Sequence, residues 1–352
     1  MPIQFQKKIK VAKLHSPLTN FELDEQEVEY RIDPLIGHLS LCPSSQKKKI
    51  SQIHKKFDNE LLEDICIKTR KNCFFCPDKV NTATPKFTTD IFPDGRLRIG
   101  EAILIPNLFP YLEHSAVVIL SHSHFLPLED YSSELLFDAL KAAIIYLKRI
   151  YDLDKVKYAV LGANYLFPSG SSLVHPHLQI TAGEYPFCYS KLLLDNSKRY
   201  YEENAANFWS DLIDAEKREV ERYITETGGI HWLIPFAPIG NLNIQGIINK
   251  SNFLELSVED LKNFSRFISI ILKFYKRQKQ SSFNFVFYSG PLGEESEDYW
   301  LNFSIIRRPN INKVYINDMW FIPRLLYGNI ISQRPEELAE TFKEYLKKIG
   351  FQ

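Results

Sequence analysis

An internal repeat constrains this chain more than any other feature, because a duplicated unit must fold as two copies of one supersecondary arrangement. Residues Val117 to Leu128 (VVILSHSHFLPL) are echoed by Gly246 to Leu256 (GIINKSNFLEL), with Phe125 corresponding to Phe253 at an offset of 128 (253 − 125). Upstream, Leu104-Ile105-Pro106 is echoed by Leu233-Ile234-Pro235 at an offset of 129 (233 − 104). Each copy reads as two apolar β stretches running into a helix. In the first, Leu135, Leu136, Leu140, Ala143, Ile144, Leu147 and Ile150 fall at helical spacing, and in the second Leu261, Phe264, Phe267, Ile268, Ile271, Leu272 and Tyr275 repeat that face. Strands are expected to follow at Lys157–Leu161 and Phe283–Tyr288. The stretch from Ser190 to Thr227, rich in Glu, Lys and Ala and free of Pro, reads as a connecting helix and divides the chain into an N-terminal half, residues 1–200, and a C-terminal half, residues 201–352.

Composition sets the class of molecule. The 352 residues are 45% hydrophobic and 24% charged, which excludes a disordered or fibrous chain. Forty-three basic residues balance forty-three acidic ones, so no global field draws the protein to nucleic acid or to an anionic membrane. The amino-terminal residues lack the apolar core of a signal peptide, and no apolar run approaches the ~20 residues of a membrane span. A cytoplasmic protein is expected. Five cysteines, an odd number, argue for reduced thiols over a disulfide framework.

Two clusters carry candidate chemistry. In Gly170-Ser171-Ser172-Leu173-Val174-His175-Pro176-His177-Leu178-Gln179, a strand beginning at His175 puts His175, His177 and Gln179 on one face. Two imidazoles and an amide then face one cleft, against the plainer reading of a polar strand face. Pro176 makes that strand an edge, or leaves its ladder unpaired at that position. Cys73-Phe74-Phe75-Cys76 can place two thiolates on one Zn²⁺, which needs two more ligands; a redox pair and two buried, unpaired thiols are the alternatives. His122 and His124, ending an apolar strand, are candidates for a third ligand.

Taken in order, Arg31-x-Asp33-Pro34-Leu35-x-Gly37, Cys73-x-x-Cys76, His122-x-x-x-Leu126-Pro127, Asn164 and His175-Pro176-His177-x-Gln179 resemble the galactose-1-phosphate uridylyltransferase family of the histidine-triad superfamily. The resemblance implies an α+β fold, a tandem duplication of histidine-triad-like half-barrels with antiparallel sheet and helices. It places structural zinc on Cys73, Cys76, His122 and His175, and the nucleophile on His177. Gln179, Asn164, Ser171, Ser172 and Gln333 fall where the family contacts phosphoryl groups, and Asn107 where it contacts base and ribose. The implied activity moves UMP between UDP-glucose and a hexose 1-phosphate through a nucleotidyl-histidine intermediate, with nucleotide sugar and sugar phosphate as ligands and a homodimer as the assembly. The second half is degenerate: Asn302-Phe303-Ser304 stands where the repeat aligns with His175-Pro176-His177 (302 − 175 = 127).

Two further departures from the family pattern bear on specificity. Ser44-Ser45-Gln46-Lys47-Lys48 replaces an arginine-containing stretch, leaving Lys47 and Lys48 as candidate phosphate contacts. Leu108, within Asn107-Leu108-Phe109-Pro110, stands where the uridylyltransferases carry an acidic residue. That segment resembles adenylyl-transferring relatives such as ADP-glucose phosphorylase, so the alternatives are an adenylyl-transferring phosphorylase acting on ADP-glucose or a dinucleoside polyphosphate, and a nucleotide-binding module without turnover. The tail from Glu336 to Lys348 reads as an amphipathic surface helix.

Overall fold

A computed structural model describes residues 3–45, 57–314 and 317–351. Lys47 and Lys48 lie outside the described residues. Among the described residues, fourteen strands form two sheets. The smaller one takes β1 (Gln6–Ser16), β2 (Glu22–Ile32), β3 (Leu39–Pro43) and the short β14 (Asn329–Ile330), in that order. The larger one has ten strands: β4 (Leu97–Ile99), β5 (Ala102–Pro106), β6 (His114–Ile119), β7 (Tyr158–Tyr165), β8 (His177–Gly183), β9 (Tyr223–Thr227), β10 (Ile230–Leu233), β11 (Ile244–Ile248), β12 (Ser282–Tyr288) and β13 (Leu301–Arg308).

The order β4-β5-β6-β8-β7-β12-β13-β11-β10-β9 makes the duplication visible in space. Five strands of the first copy run inward to β7, five of the second run outward from β12, and β7 and β12 pair antiparallel at the centre with Asn164 opposite Asn284. This is the expected α+β fold, with the large sheet antiparallel throughout. The two repeat helices cover one face and pack on each other: α3 (Ser133–Asp154) and α6 (Val258–Arg277). Ser132 caps α3 by accepting from the Leu135 N–H, and Ser257 with Asp260 forms a capping box on α6.

Side-chain alternation divides the sheet's two faces. Leu104, Val118, Leu178, Phe285 and Phe303 join α3 and α6 in the main core. Ile103, Ile105, Val117 and Ile119 face the other way, under the Cys73–Cys76 loop and α2 (Val80–Ala83), which follows α1 (Asn59–Arg70). Leu233 and Ile247 of the second copy are covered instead by α4 (Cys188–Asn204) and α5 (Phe208–Glu219). The stretch expected as one connecting helix is therefore two helices and a strand. Ala205 adopts the left-handed conformation (φ +51°), Asn207 caps a fresh helix, and the β-branched run at residues 223–227 joins the sheet as β9.

The short α7 (Phe321–Leu325) precedes β14, and α8 (Pro335–Lys348) is the last element among the described residues. The tail helix α8 is more than a surface element, since Leu338, Ala339 and Phe342 are buried. Its Glu336 carboxylate takes both terminal nitrogens of the buried Arg31 at 2.9 and 2.7 Å and one of Arg222 at 2.9 Å. Arg31, the first residue of the Arg-x-Asp-Pro-Leu-x-Gly motif, thus locks the β1–β2 hairpin to the second copy. Asp33 of the same motif closes a turn by accepting from the N–H groups of Leu35 and Ile36 at 2.9 and 2.8 Å.

Candidate functional site

Four side chains converge beneath β5 and β6. Cys73 and Cys76 come from the loop between α1 and α2, His124 from the turn after β6, and His175 from the turn before β8. Their ligand atoms all lie within 4.8 Å of one another and all four residues are buried. Cys76 Sγ is 3.5 Å from His124 Nδ1 and 3.7 Å from His175 Nδ1, and Cys73 Sγ is 3.6 Å from His175 Nδ1. A tetrahedral ion with bonds of ~2.3 Å to sulfur and ~2.1 Å to nitrogen requires donor separations of about 3.4–3.8 Å, so the spacing fits such an ion.

The tautomers fit as well. His175 Nε2 lies 2.8 Å from the Ser121 carbonyl, which can only accept, so its N–H is there and the Nδ1 lone pair faces the sulfurs. His124 Nε2 lies 2.9 Å from Thr69 Oγ1, whose own proton goes to the Ile65 carbonyl at 2.7 Å; His124 therefore donates through Nε2 and also presents Nδ1 inward. Burial holds the His175 imidazole down to about 4 and lowers His124, with Arg70 adding to the latter. Burial, followed by the neighbouring Cys73, pushes the Cys76 thiol up to about 11; a bound cation is what would deprotonate it.

One expected ligand is displaced. His122 does not join the group: its side chain is 57% exposed and lies 3.8 Å from Glu101. Residues 122–124 leave the strand as a bend, so the period of two that would put His122 and His124 on one face is broken, and it is His124 that turns inward. The other expectations around β8 divide in the same way. The strand begins at His177, so Pro176 falls just before the ladder and β8 is a central strand between β6 and β7, not an edge. His177 and Gln179 line a cleft, whereas His175 is turned to the cysteines.

The cleft at His177 has a volume of about 170 Å³. Its walls include Phe74 and Phe75 from the cysteine loop, Pro106 at the end of β5, Asn107 to Phe109 after it, Ser172 and Leu173. His177 is itself only 7% exposed. Its Nδ1 donates to the His175 carbonyl at 2.8 Å, leaving the Nε2 lone pair uncommitted, and the Phe75 ring stands edge-on to the imidazole at 5.5 Å. Burial lowers its basicity, so the neutral ring is the resting form. A second cleft of about 350 Å³ runs over the centre of the sheet and shares Gln179 with the first; Gly162, Asn164, Thr181, Asn284, Tyr288 and Ser304 are among its walls.

The remaining expected contacts separate into those at the clefts and those away from them. Ser172 and Asn107 line the first cleft and Asn164 the second. Asn107 uses its side-chain oxygen to accept from the Phe109 N–H at 3.1 Å. Ser171 is turned inward, donating to the Leu173 carbonyl at 2.7 Å, and stands in neither cleft. Gln333 lines neither cleft; it follows β14, on the sheet of the amino-terminal hairpin.

Strand pairing also corrects the alignment of the second copy. His177 pairs with Ile119 and Gln179 with Val117, while Asn302 pairs with Ile247 and Ser304 with Gln245. At the offset of 128 that relates β6 to β11, Asn302 occupies the place of His177, not of His175, and Ser304 that of Gln179. A shared hydrogen bond agrees: Asn302 Nδ2 donates to the Trp300 carbonyl two residues back at 2.6 Å, as His177 does to His175. Thr69 and Asn284 were invisible in the sequence, because a helix-end threonine and a strand asparagine carry no motif of their own.

Comparison with known proteins adds three likenesses. An uncharacterized protein of Archaeoglobus fulgidus is 32% identical over 344 residues, which span 97% of this chain and 98% of that one. A galactose-1-phosphate uridylyltransferase of Thermotoga maritima is 26% identical over 215 residues, 58% of this chain and 66% of that protein. Among solved structures, an ADP-glucose phosphorylase from Arabidopsis thaliana with bound ADP-glucose superposes with a TM-score of 0.68 at 20% identity, covering 90% of this chain and 99% of that one. No protein-family model matches the chain.

Proposed function

We propose that the chain, which resembles the galactose-1-phosphate uridylyltransferase family in sequence and an ADP-glucose phosphorylase in fold, is a nucleotidyltransferase of that family in which His177 accepts and then passes on a nucleotidyl group. The observation that carries this reading is the His177 Nδ1–H bond to the His175 carbonyl. It leaves a neutral Nε2 to attack the α-phosphorus of a bound nucleotide sugar. The P–N bond forms as the bond to the bridging oxygen breaks, and the sugar phosphate leaves with that oxygen. An acceptor phosphate then attacks the same phosphorus, the P–N bond breaks, and Nε2 recovers its lone pair without net proton transfer. Gln179 and Asn164, with Ser172 in the cleft that holds the imidazole, supply N–H and O–H donors to the phosphoryl oxygens.

Zinc is the ion best suited to two thiolates and two imidazoles, held by Cys73, Cys76, His124 and His175. Held by these four residues, such an ion would fix the loop that carries Phe75 against His177. The site thus belongs to residues 1–200, and residues 201–352 form a half without a nucleophile of its own. The donor we propose is UDP-glucose, with a hexose 1-phosphate as acceptor. A second reading has a specific observation behind it: the base-side wall at Leu108 and Phe109 is apolar and offers no carboxylate, which suits an adenylyl donor such as ADP-glucose. The assembly we propose, from the family resemblance, is a homodimer, and cysteines free of disulfides suit a cytoplasmic setting.

Intact mass after incubation with UDP-glucose or ADP-glucose separately tests the proposal. Wild type is expected to gain one nucleotidyl group from one of them and the His177→Ala variant none. A labelled His177→Ala variant, or wild type unlabelled by either donor, defeats it.

A further inference from the structure

A chain of side-chain amides crosses the central strand pair from the second copy to the catalytic cleft. Gln179 Oε1 accepts from Asn164 Nδ2 at 3.4 Å, and Asn164 Oδ1 accepts from Asn284 Nδ2 on the facing strand β12. Asn284 Oδ1 in turn accepts from Arg308 Nη1, and Arg308 is clamped by Asp318, its Nε lying 2.8 and 3.0 Å from the two carboxylate oxygens.

The direction of each amide in this chain is determined from its far end. A guanidinium only donates, so the oxygen of Asn284 must face Arg308. A carbonyl only accepts, and the Ser169 carbonyl receives Asn284 Nδ2 at 3.0 Å, which fixes the same orientation independently. With its oxygen toward Asn284, Asn164 must offer its nitrogen to Gln179. With its oxygen toward Asn164, Gln179 turns its nitrogen away from that contact, free to face the cleft it shares with His177. Were the chain reversed, Gln179 would present a carbonyl oxygen to the phosphoryl oxygens and repel them.

On the nucleotidyl-transfer reading above, we infer that Asn284 and Arg308 are positioning residues, which set the amides of Asn164 and Gln179 so that both present N–H groups to the phosphoryl group at His177. Neither residue needs to touch the substrate. The second copy, without a nucleophile, thereby keeps a catalytic task. Its β12 and β13 supply the fixed end of the relay, and the same donors hold the Phe167–Ser169 turn that leads to Ser172 and His175.

Asn284→Asp tests this with nearly unchanged volume. The carboxylate still accepts from Arg308 but cannot donate, so Asn164 must rotate its nitrogen toward it and Gln179 must rotate its oxygen into the cleft. The rate of nucleotidyl-enzyme formation is expected to fall by about 10²–10³, the usual effect of losing one preorganised donor, while the donor's Kd changes less than threefold. In a Gln179→Ala background, Asn284→Asp is expected to cost less than about tenfold, since only Asn164 remains to be turned. Equal costs in the two backgrounds, or an unchanged rate, overturn the inference. Should Asn284→Asp fail to fold, Asn284→Ala takes its place, with an expected loss of about tenfold in the labelling rate and overturned by no loss. Wild type that no donor labels would defeat the nucleotidyl-transfer reading itself, whereas labelling that ignores Asn284 defeats the relay alone.

Discussion

The hydroxyl of Thr69 is expected to set metal affinity without touching the metal. Thr69→Val keeps the side chain's shape and removes the oxygen that takes the His124 Nε2–H at 2.9 Å. That N–H is then left against apolar surface, at a cost of about 1–3 kcal/mol for a buried donor, and toward the lower end here because Thr69 is only partly buried. Losing such an outer partner of a ligating histidine weakens metal binding by about 10–100-fold, or roughly 1.4–2.7 kcal/mol, so the two routes to the magnitude agree. Competition of the zinc-loaded protein against a graded series of chelators reads this directly, with His122→Ala as the control that leaves affinity unchanged. If Thr69→Val holds zinc as tightly as wild type, or His122→Ala releases it, the assignment of His124 as the fourth ligand is wrong.

Three other outcomes are expected. Cys73→Ser should lower zinc stoichiometry and thermal stability together, because binding at a four-ligand site is coupled to folding; unchanged zinc content would remove Cys73 from the set. Ser172→Ala should slow nucleotidyl transfer, whereas Ser171→Ala should cost about 1 kcal/mol of stability for the lost contact with Leu173 and leave transfer intact; thermal melts and labelling rates separate the two. Glu336 gives an acid dependence. Burial opposes ionisation of its carboxyl, but Arg31 and Arg222 prevail and hold it down to about 2, below its ordinary 4.5. Its contribution of about 3 kcal/mol is therefore full above pH 4.5 and lost as the pH falls toward 2. Glu336→Gln should flatten the stability curve in that window, and a slope unchanged in the variant would place the acid sensitivity elsewhere.

Much of this protein is legible from local pattern. The repeat was readable because two strands and a long helix must bury the same faces in each copy, and hydrophobic spacing records those faces. His177 and Gln179 were readable because the period of two along one strand puts them on one surface. The two cysteines were readable because two intervening residues close a loop that brings both thiols to one buried cluster.

What the sequence could not decide is where chains of similar local character meet. His122 and His124 are chemically equal in the string, and only the path of the turn after β6, where Glu101 accepts the His122 backbone N–H and Thr69 of α1 meets His124, chooses between them. Ser171 and Ser172 are equal in the same way until the turn directs one inward to Leu173. The register of β13 moved the second copy's alignment by two residues, since cross-strand hydrogen bonds, not residue identity, set which side chains are opposite. The relay from Arg308 to Gln179 exists only because β7 and β12, 120 residues apart at Asn164 and Asn284 (284 − 164), become neighbours at the centre of one sheet. A sequence lays down which surfaces each segment must bury; the tertiary fold decides which polar atoms those buried surfaces bring within hydrogen-bonding reach, and there the chemistry is settled.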